Sequence, residues 1–395
     1  MIPRSGWVLA VLTASLAVAA AGKTKYSLER FSPVESAETI PALDFFRPPM
    51  FRDPKLNDDG SRMAAVITDT IDRQDLLVYH FASSKVGTVH GSRQTDVADF
   101  DWLDDDRLLF SITSDKLFSA GLYVADARDQ LKSYMIDRDN VAVMVARPEQ
   151  NRMRPIVWIK QCAYDGGNEG RLVQVNAEKG GWDPFGPWIY VDEGSINYGT
   201  VARVQLSYPK AGPGDVLAYA GDAHGNLALA FTTENGVESV SRFESEQWIR
   251  CPIDLDEIEV LGAGANPREL VVLGPRQEGR PRAIQRMDAV TGSLGAVLWQ
   301  DSRYDPSNCL LYRHPVSKEL VGIRFDRGMR ETVWLDPQYK KVQKAVERLM
   351  PGMVVEIFGS ERDERRFFVS AMSDRSPVTY YSVDVETNQL GLIKC

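Results

Sequence analysis

The sequence predicts an all-β protein built from repeats of one small unit. The unit at Phe100–Val124 has the pattern of strand, acidic turn, strand, loop and strand, and similar stretches recur along the chain. Strands alternating with helices of about 10–15 residues, the mark of a parallel α/β sheet, are missing. The simplest architecture is a β-propeller of seven blades with about four strands each, and eight blades is the alternative.

The unit at Phe100–Val124 also shows why copies are needed. Asp104–Asp106 supply a turn, because short carboxylate side chains accept hydrogen bonds from nearby backbone N–H groups. Leu108–Ile112 and Leu122–Val124 are apolar on both faces, as expected for strands that lie between two neighbouring sheets. One such unit cannot bury itself, so further units must stack beside it.

Seven copies of the unit are recognisable. Their strand runs are Met63–Thr68 with Leu76–Phe81; Phe100–Val124; Pro155–Ile159 with Leu172–Asn176; Val216–Ala220 with Leu227–Thr232 and Val237–Phe243; Glu269–Leu273 with Ala283–Met287; Leu320–Phe325 with Thr332–Leu335; and Arg366–Ala371 with Thr379–Val385. Equivalent points in the seven copies are Val66, Leu109, Val157, Leu229, Val271, Val321 and Phe368, separated by 43, 48, 72, 42, 50 and 47 residues. Most of these steps fit the period of roughly 40–50 residues of four-stranded propeller blades.

Two stretches depart from the repeat. The long step covers Gly180–Pro213, rich in Gly, Pro and Trp, which is either an insertion or a degenerate extra blade. A short helix is predicted near 338–350, because Asp336-Pro337 starts it and Pro351-Gly352 stops it. Its apolar residues Val342, Ala345, Val346 and Leu349 share one face, and Lys340, Lys341, Lys344 and Arg348 lie largely elsewhere. This pattern favours an outer helix packed on a blade over a membrane or partner helix.

Composition limits the function classes. The chain has 395 residues, 44% hydrophobic and 26% charged, which is ordinary for a globular protein but long for a single core. The net charge is −9, and no long Lys/Arg block occurs. A nucleic-acid-binding surface is therefore not expected, since it needs basic clusters facing phosphates.

The first residues predict export. Arg4 precedes an apolar stretch from Trp7 that ends in small residues around Ala17–Ala21, the pattern of a secretory signal. Residues 1–21 are expected to be the signal peptide, 22–41 a polar lead-in and 42–395 the propeller. An uncleaved anchor is the alternative, and no other segment is long and apolar enough to span a bilayer. The expected location is the periplasm or the extracellular space.

The four cysteines are far apart and form no Cys-x-x-Cys pair, which excludes the zinc and thioredoxin-type spacings. An oxidising compartment allows two disulfides, in three connectivities that the sequence does not rank. Buried free thiols are the alternative. The residues are Cys162, Cys251, Cys309 and Cys395.

No catalytic, cofactor-binding or metal-binding residue is predicted, and no cofactor is expected. None of the 30 glycines is followed two positions later by serine, so the Gly-x-Ser-x-Gly elbow of α/β-type serine hydrolases is absent. Phosphate-binding Gly-rich loops and His-Glu-x-x-His are absent too, and Asp58-Asp59-Gly60 lacks the ligand spacing of a calcium loop.

Scattered polar residues give weak candidates only. Glu244 and Glu246 could receive the amino terminus of a peptide, but a solvated strand edge is the better interpretation. The histidines are interpreted as surface or hydrogen-bonded core residues rather than as bases in a cleft. They are His80, His90, His224 and His314.

The order and spacing of the repeats resemble the prolyl oligopeptidase family. Phe45–Pro49 is similar to a Phe-x-Arg-x-Pro segment at the family's entry, and Asn57–Gly60 stands at the family's first turn. Further similar stretches are Trp102–Asp104 with Arg107–Phe110, Asp222–Asn226, Asp288–Gly292, Trp299–Asp301 through Tyr304-Asp305, Val333–Asp336, and Ser373–Pro377 ahead of Tyr380-Tyr381. The resemblance covers nearly all of the chain after the signal.

The resemblance implies an exported peptidase in which a propeller restricts entry to a C-terminal α/β-hydrolase domain. This sequence ends at Cys395, about where that domain would begin, so no residue of a catalytic triad is carried over. The expectation is a non-catalytic gate or docking domain for peptide substrates, with a separately encoded α/β-hydrolase or a peptide ligand as partner. The alternative is a free-standing propeller that binds a protein or small ligand. An enzyme using carboxylates in the propeller channel ranks third.

Overall fold

The computed structural model describes eleven segments of the chain, and they form seven antiparallel sheets around a ring. The described residues are 50–68, 73–89, 95–114, 117–128, 132–137, 141–160, 170–178, 204–266, 268–327, 329–374 and 376–393. Six sheets have four strands, and the sixth along the chain has three. The predicted seven-bladed propeller is therefore confirmed.

The first four blades use sixteen consecutive strands. Blade 1 contains β1 (Phe51–Leu56), β2 (Arg62–Thr68), β3 (Gln74–His80) and β4 (Lys85–Val89). Blade 2 contains β5 (Thr95–Trp102), β6 (Arg107–Ser114), β7 (Leu117–Asp126) and β8 (Lys132–Asp137). Blade 3 contains β9 (Val141–Ala146), β10 (Ile156–Lys160), β11 (Arg171–Val175) and β12 (Val204–Ser207), and blade 4 contains β13 (Asp215–Gly221), β14 (Leu227–Glu234), β15 (Val237–Glu244) and β16 (Gln247–Arg250).

The last three blades include the helix. Blade 5 contains β17 (Glu259–Ala263), β18 (Glu269–Leu273), β19 (Ala283–Asp288) and β20 (Leu294–Gln300). Blade 6 contains β21 (Ser307–Arg313), β22 (Leu320–Arg327) and β23 (Met329–Trp334), followed by helix α1 (Pro337–Leu349). Blade 7 contains β24 (Val354–Ser360), β25 (Arg366–Ser373), β26 (Ser376–Asp384) and β27 (Gln389–Ile393).

The repeat register read from the sequence matches the structure. All seven equivalent points, from Val66 in β2 to Phe368 in β25, lie in the second strand of their blade and are buried. The second strand has a hydrogen-bonded neighbour on each side and a neighbouring blade on each face. Its side chains are therefore apolar on both faces, which is the pattern that the sequence displays.

The long step between the third and fourth copies does not add a blade among the described residues. Val204–Ser207 forms β12, which pairs with β11 as the outer strand of blade 3. Residues 179–203 lie outside the described part of the chain. No eighth sheet occurs among the residues that the structure describes, so the alternative of eight blades finds no support there.

The helix lies close to its predicted place but buries a different set of residues. The Asp336 carboxylate accepts hydrogen bonds from the backbone N–H groups of Gln338 and Tyr339, at 2.7 and 3.0 Å, and so caps the helix. Val342 and Val346 are buried as predicted, whereas Ala345 and Leu349 are exposed. The helix packs between blades 6 and 7 in contact with β23 and β24. These contacts bury a narrower stripe of the helix surface than the one predicted.

The first strand of each blade lines the axis. These strands contact one another around the ring: β1 with β5, β9 with β13, β13 with β17, β17 with β21, and β24 with β1. Among the described residues, blades 7 and 1 meet by side-chain packing, with Phe51 against Tyr380 and Phe81 against Phe368 at ring-centroid distances of 4.7 and 4.6 Å. No helix in the described part of the chain combines the length and the apolar character that crossing a bilayer requires.

Candidate functional site at the propeller axis

Seven turns follow the first strands of the blades, and they meet at one end of the axis. We call this end the inner-turn face; its described turn residues are 57–61, 103–106, 147–155, 222–226, 264–266 with 268, 314–319 and 361–365. The opposite end carries the links between blades and is called the connection face. Hydrogen bonds across blade boundaries confirm that the inner turns converge: Asp105 Oδ1 accepts from the Asp59 N–H at 3.0 Å, and the Asp105 carbonyl accepts from Asn57 Nδ2 at 3.0 Å.

The turn of blade 1 is shaped by a glycine. Gly60 has a φ of +74°, and a Cβ placed there would lie 2.6 Å from the Glu361 Cα of blade 7. The side chains of Asn57 and Asp59 accept hydrogen bonds from the N–H groups of Arg62 and Ser61. The acidic run Asp58-Asp59-Gly60 is thus a structural turn that packs blade 1 against blade 7.

Ion pairs between their inner turns join blade 1 directly to blade 3. Arg147 Nη2 lies 2.9 Å from Asp58 Oδ1, and Arg152 pairs with the other oxygen of the same carboxylate. Arg147 also donates to the carbonyl of Trp102 in blade 2. Burial lowers the pKa of Arg147, although the carboxylates around it oppose this effect. One carboxylate therefore satisfies two arginines from another blade.

Glu149 crosses the axis. Its Oε1 lies 2.9 Å from Lys318 Nζ of blade 6, and its Oε2 lies 3.2 Å from His224 Nδ1 of blade 4. Blades 3 and 6 are separated by two blades on one side and by three on the other, so this contact spans the ring. Burial opposes ionisation of Glu149, but the hydrogen bonds from Lys318 and His224 outweigh it and hold its pKa below the ordinary value. We call these three residues the axial bridge.

A cavity of about 280 Å³ opens beside the axial bridge. Besides the bridge itself, its charged lining comprises Asp101, Arg147 and Asp222, and residues of Met144–Ala146 and Gly221–Gly225 complete it. Asp222 is occupied as a turn acceptor for the N–H groups of His224 and Asn226. The cavity carries both signs of charge, so it suits a polar or zwitterionic group.

The histidines have different environments. His224 belongs to the axial bridge. His314 Nδ1 accepts from the N–H groups of Val316 and Ser317, and its Nε2 lies 2.9 Å from Glu364 Oε1, which ties blade 6 to blade 7. His80 accepts from Arg62 Nε at 3.1 Å, and burial, assisted by Arg62, lowers its pKa. His90 lies outside the described residues.

The remaining weak candidates are structural. Glu244 pairs with Arg242 and Arg268, so its carboxylate is already neutralised. Cys251 is a buried free thiol and Cys309 a half-buried one, and burial raises the pKa of Cys309 to about 11. Cys162 and Cys395 lie outside the described residues. Within the described part of the chain, no group of three or more His, Cys, Asp or Glu side chains is placed to hold a metal ion.

Sequence reasoning missed most of the axial bridge. Asp222–Asn226 was recognised as a family-like stretch, but Glu149, Lys318 and Arg147 carry no motif and are far apart in the chain. The usable signal is their position: each follows the first strand of a blade. To assign that position from the sequence, the first strand of each blade must be located, and the strongly apolar strands are the second ones.

The connection face differs in character from the inner-turn face. Val237, Tyr304, Met329 and Val378 lie at strand ends or links on the connection face and are between 44% and 66% exposed. Among the described residues of the seven inner turns, Val316 is the one large apolar side chain with comparable exposure. Exposed apolar side chains also occur beside the inner turns, at Val86 and Val290, which follow the third strands of blades 1 and 5. The connection face is thus distinguished by its set of such side chains on blades 4 to 7, and not by a complete absence of them at the other end.

No protein-family model and no curated protein matches the chain. Solved structures do match. One, from a structural and mechanistic analysis of two prolyl endopeptidases, superposes with a TM-score of 0.52 at 13% identity, over 88% of this chain and 50% of that one. Oligopeptidase B from Leishmania major superposes with a TM-score of 0.50 at 12% identity, over 89% of this chain and 50% of that one.

The chain thus spans about half the length of these solved neighbours. At such identities the likeness concerns the fold. The fold of this chain is that of the N-terminal propeller portion of prolyl oligopeptidase-family peptidases.

Proposed function

We propose that this chain is a non-catalytic propeller that docks against an α/β-hydrolase partner and restricts the access of peptides to it. The likeness of its fold to the propeller of prolyl oligopeptidase-family peptidases supports the proposal. The mechanism is steric: the ring excludes folded proteins, and a docked hydrolase meets only chains thin enough to reach it.

The observation that carries the docking role is the set of exposed apolar side chains on the connection face. A propeller that docks against a hydrolase should expose an apolar face for it, whereas an independent propeller should be polar there. Val237, Tyr304, Met329 and Val378 provide such side chains on the connection face, and the inner-turn face is braced by ion pairs. The connection face is therefore the docking face in this proposal.

The axial bridge supports the gating role. Glu149 and Lys318 meet across the ring, so a chain that enters along the axis from the inner-turn face must first separate them. The pair is partly exposed, and ion pairs of this kind contribute only about 0.2–1 kcal/mol. A bridge of that strength obstructs the axis without sealing it permanently.

Site-specific photo-crosslinking tests the docking face. The photoreactive residue p-benzoylphenylalanine replaces Met329 or Val237 on the connection face, or Val316 on the inner-turn face as a matched exposed control. Irradiation is carried out in a lysate of the source organism, and captured proteins are probed with a tagged fluorophosphonate, which labels active serine hydrolases. We expect a labelled adduct from Met329 and Val237 and none from Val316.

Adducts without fluorophosphonate labelling, or equal capture from both faces, would contradict docking of a hydrolase at the connection face. Capture of an unlabelled protein from Val316 alone would favour the free-standing binding module.

The purified chain alone is expected to hydrolyse no fluorogenic peptide and to take no label from the fluorophosphonate probe. Turnover that persists through repeated purification would overturn the non-catalytic assignment.

A further inference from the structure

Helix α1 presents a basic stripe to solvent. Lys340, Lys341, Lys344 and Arg348 are all exposed, whereas the opposite side of the helix is buried against blades 6 and 7 through Tyr339, Val342, Gln343 and Val346. The whole chain carries a net charge of −9, so a concentrated positive region is unusual for this surface.

No carboxylate of the described residues forms an ion pair with any of the four cations. Asp336 is engaged in capping the helix, and Glu347 accepts a hydrogen bond from Gln343 Nε2. Lys340, Lys344 and Arg348 follow one another at intervals of four residues, so they form a row of about 12 Å along the helix. The row therefore offers three aligned positive charges, with Lys341 beside it.

The shape of this region fits a flat partner. An exposed helix is convex, and the cavity beside the axial bridge is not lined by residues of α1. Leu349, exposed at the end of the helix, places an apolar side chain next to the row. A short acidic peptide would need a groove to hold it, whereas a surface of negative headgroups needs only proximity.

We propose that the α1 stripe binds the anionic lipid headgroups of a membrane surface. Charge complementarity drives the contact, because basic residues held near anionic lipids are each attracted to the surface. The inner turn 361–365 lies beside the N-terminal end of α1, where Gln338 Nε2 donates to the Glu364 carbonyl at 3.1 Å. Because such charges are screened beyond about 8–10 Å at physiological salt, its carboxylates oppose the contact most near Lys340 and least near Arg348. The propeller would then lie against a membrane through its rim, with both ends of its axis free.

Vesicle co-sedimentation tests this proposal with the full chain. The probes are vesicles of phosphatidylcholine with 30 mol% phosphatidylglycerol, compared with pure phosphatidylcholine, each at low and at high salt. We expect binding to the anionic vesicles only, and a loss of binding as salt rises. The variant K340E/K341E/K344E should bind at least tenfold more weakly, because it removes three basic residues from the stripe and puts three negative charges in their place.

The matched control carries the same change in net charge elsewhere on the surface. It is K85E/R276E/R280E, whose three side chains are also exposed. The test variant should fold, because all three side chains are exposed and form no ion pair among the described residues; circular dichroism and thermal melting check this.

No binding of the wild type to anionic vesicles at low salt would overturn the proposal, as would equal losses in the two variants. Binding to soluble polyglutamate without binding to vesicles would also overturn it, in favour of an acidic protein partner.

Discussion

Glu149 of blade 3 and Lys318 of blade 6 meet at 2.9 Å across the axis of the propeller. The two residues lie in turns of different blades, and these two blades have no neighbouring blade in common. The contact therefore depends on the closure of the whole ring. His224 of blade 4 contacts the second oxygen of the same carboxylate at 3.2 Å. One carboxylate therefore makes both contacts of the axial bridge, and its contact with Lys318 is the one that crosses the axis.

The energy of the Glu149–Lys318 contact can be isolated by a double-mutant cycle. Glu149→Gln, Lys318→Met and the double variant should give a coupling of about 0.5 kcal/mol in urea unfolding, the range of partly exposed ion pairs. In the control cycle, Lys85→Met replaces Lys318→Met, and no coupling is expected because Lys85 lies on the outer strand of blade 1. Coupling within error of the control would show that the pair does not form in solution.

The pH dependence of Glu149 has a definite sign. Its pKa is lowered in the folded protein, so its ionised form contributes stability above its unfolded-state pKa, and this contribution is lost as the pH falls through the lowered value. The difference in melting temperature between the wild type and Glu149→Gln should therefore be present at pH 7 and shrink towards pH 3. A difference that grows on acidification would contradict the assignment.

Asp58 satisfies two arginines of blade 3, and its removal leaves both without their carboxylate. Asp58→Asn should lower the free energy of unfolding by about 1–3 kcal/mol, the cost of leaving largely buried polar groups unsatisfied. Asp256→Asn, at an exposed position without an ion pair in the described structure, is the control and should be nearly neutral. Equal melting temperatures for the two variants would argue against the blade 1 to blade 3 network.

Gly60 and Gly236 form a matched pair for the seam between blades 1 and 7. Both have left-handed φ values, +74° and +78°, but a Cβ on Gly60 meets the Glu361 backbone at 2.6 Å, whereas a Cβ on Gly236 meets nothing within 4 Å. Gly236→Ala should cost about 1–2 kcal/mol from backbone strain alone. Gly60→Ala should add about 1–3 kcal/mol of overpacking to the same strain. Thermal unfolding of the two variants measures the difference. Equal losses of stability would show that the contact between blades 1 and 7 accommodates the added Cβ.

How well each strand could be predicted from the sequence depended on how apolar it is. Val66, Leu229 and Phe368 were placed correctly because second strands are apolar on both faces. The first strands gave a weaker signal: β13 was predicted from Val216–Ala220 and the end of β5 from Phe100, whereas β1, with the sequence FRDPKL, was not predicted as a strand. The helix face was partly wrong at Ala345 and Leu349, because helical spacing identifies apolar residues but not the width of the neighbouring surface.

The sequence by itself determined the all-β class, the seven repeats, the position of the helix and the absence of a Gly-x-Ser-x-Gly motif, because each depends on residues close together in the chain. The tertiary structure decided what closes the axis. Glu149, His224 and Lys318 come from three blades and acquire a common environment only when the ring brings the inner turns together. Such a contact leaves no local pattern, since a single charged residue in a turn looks the same whether it faces solvent or a partner across the ring.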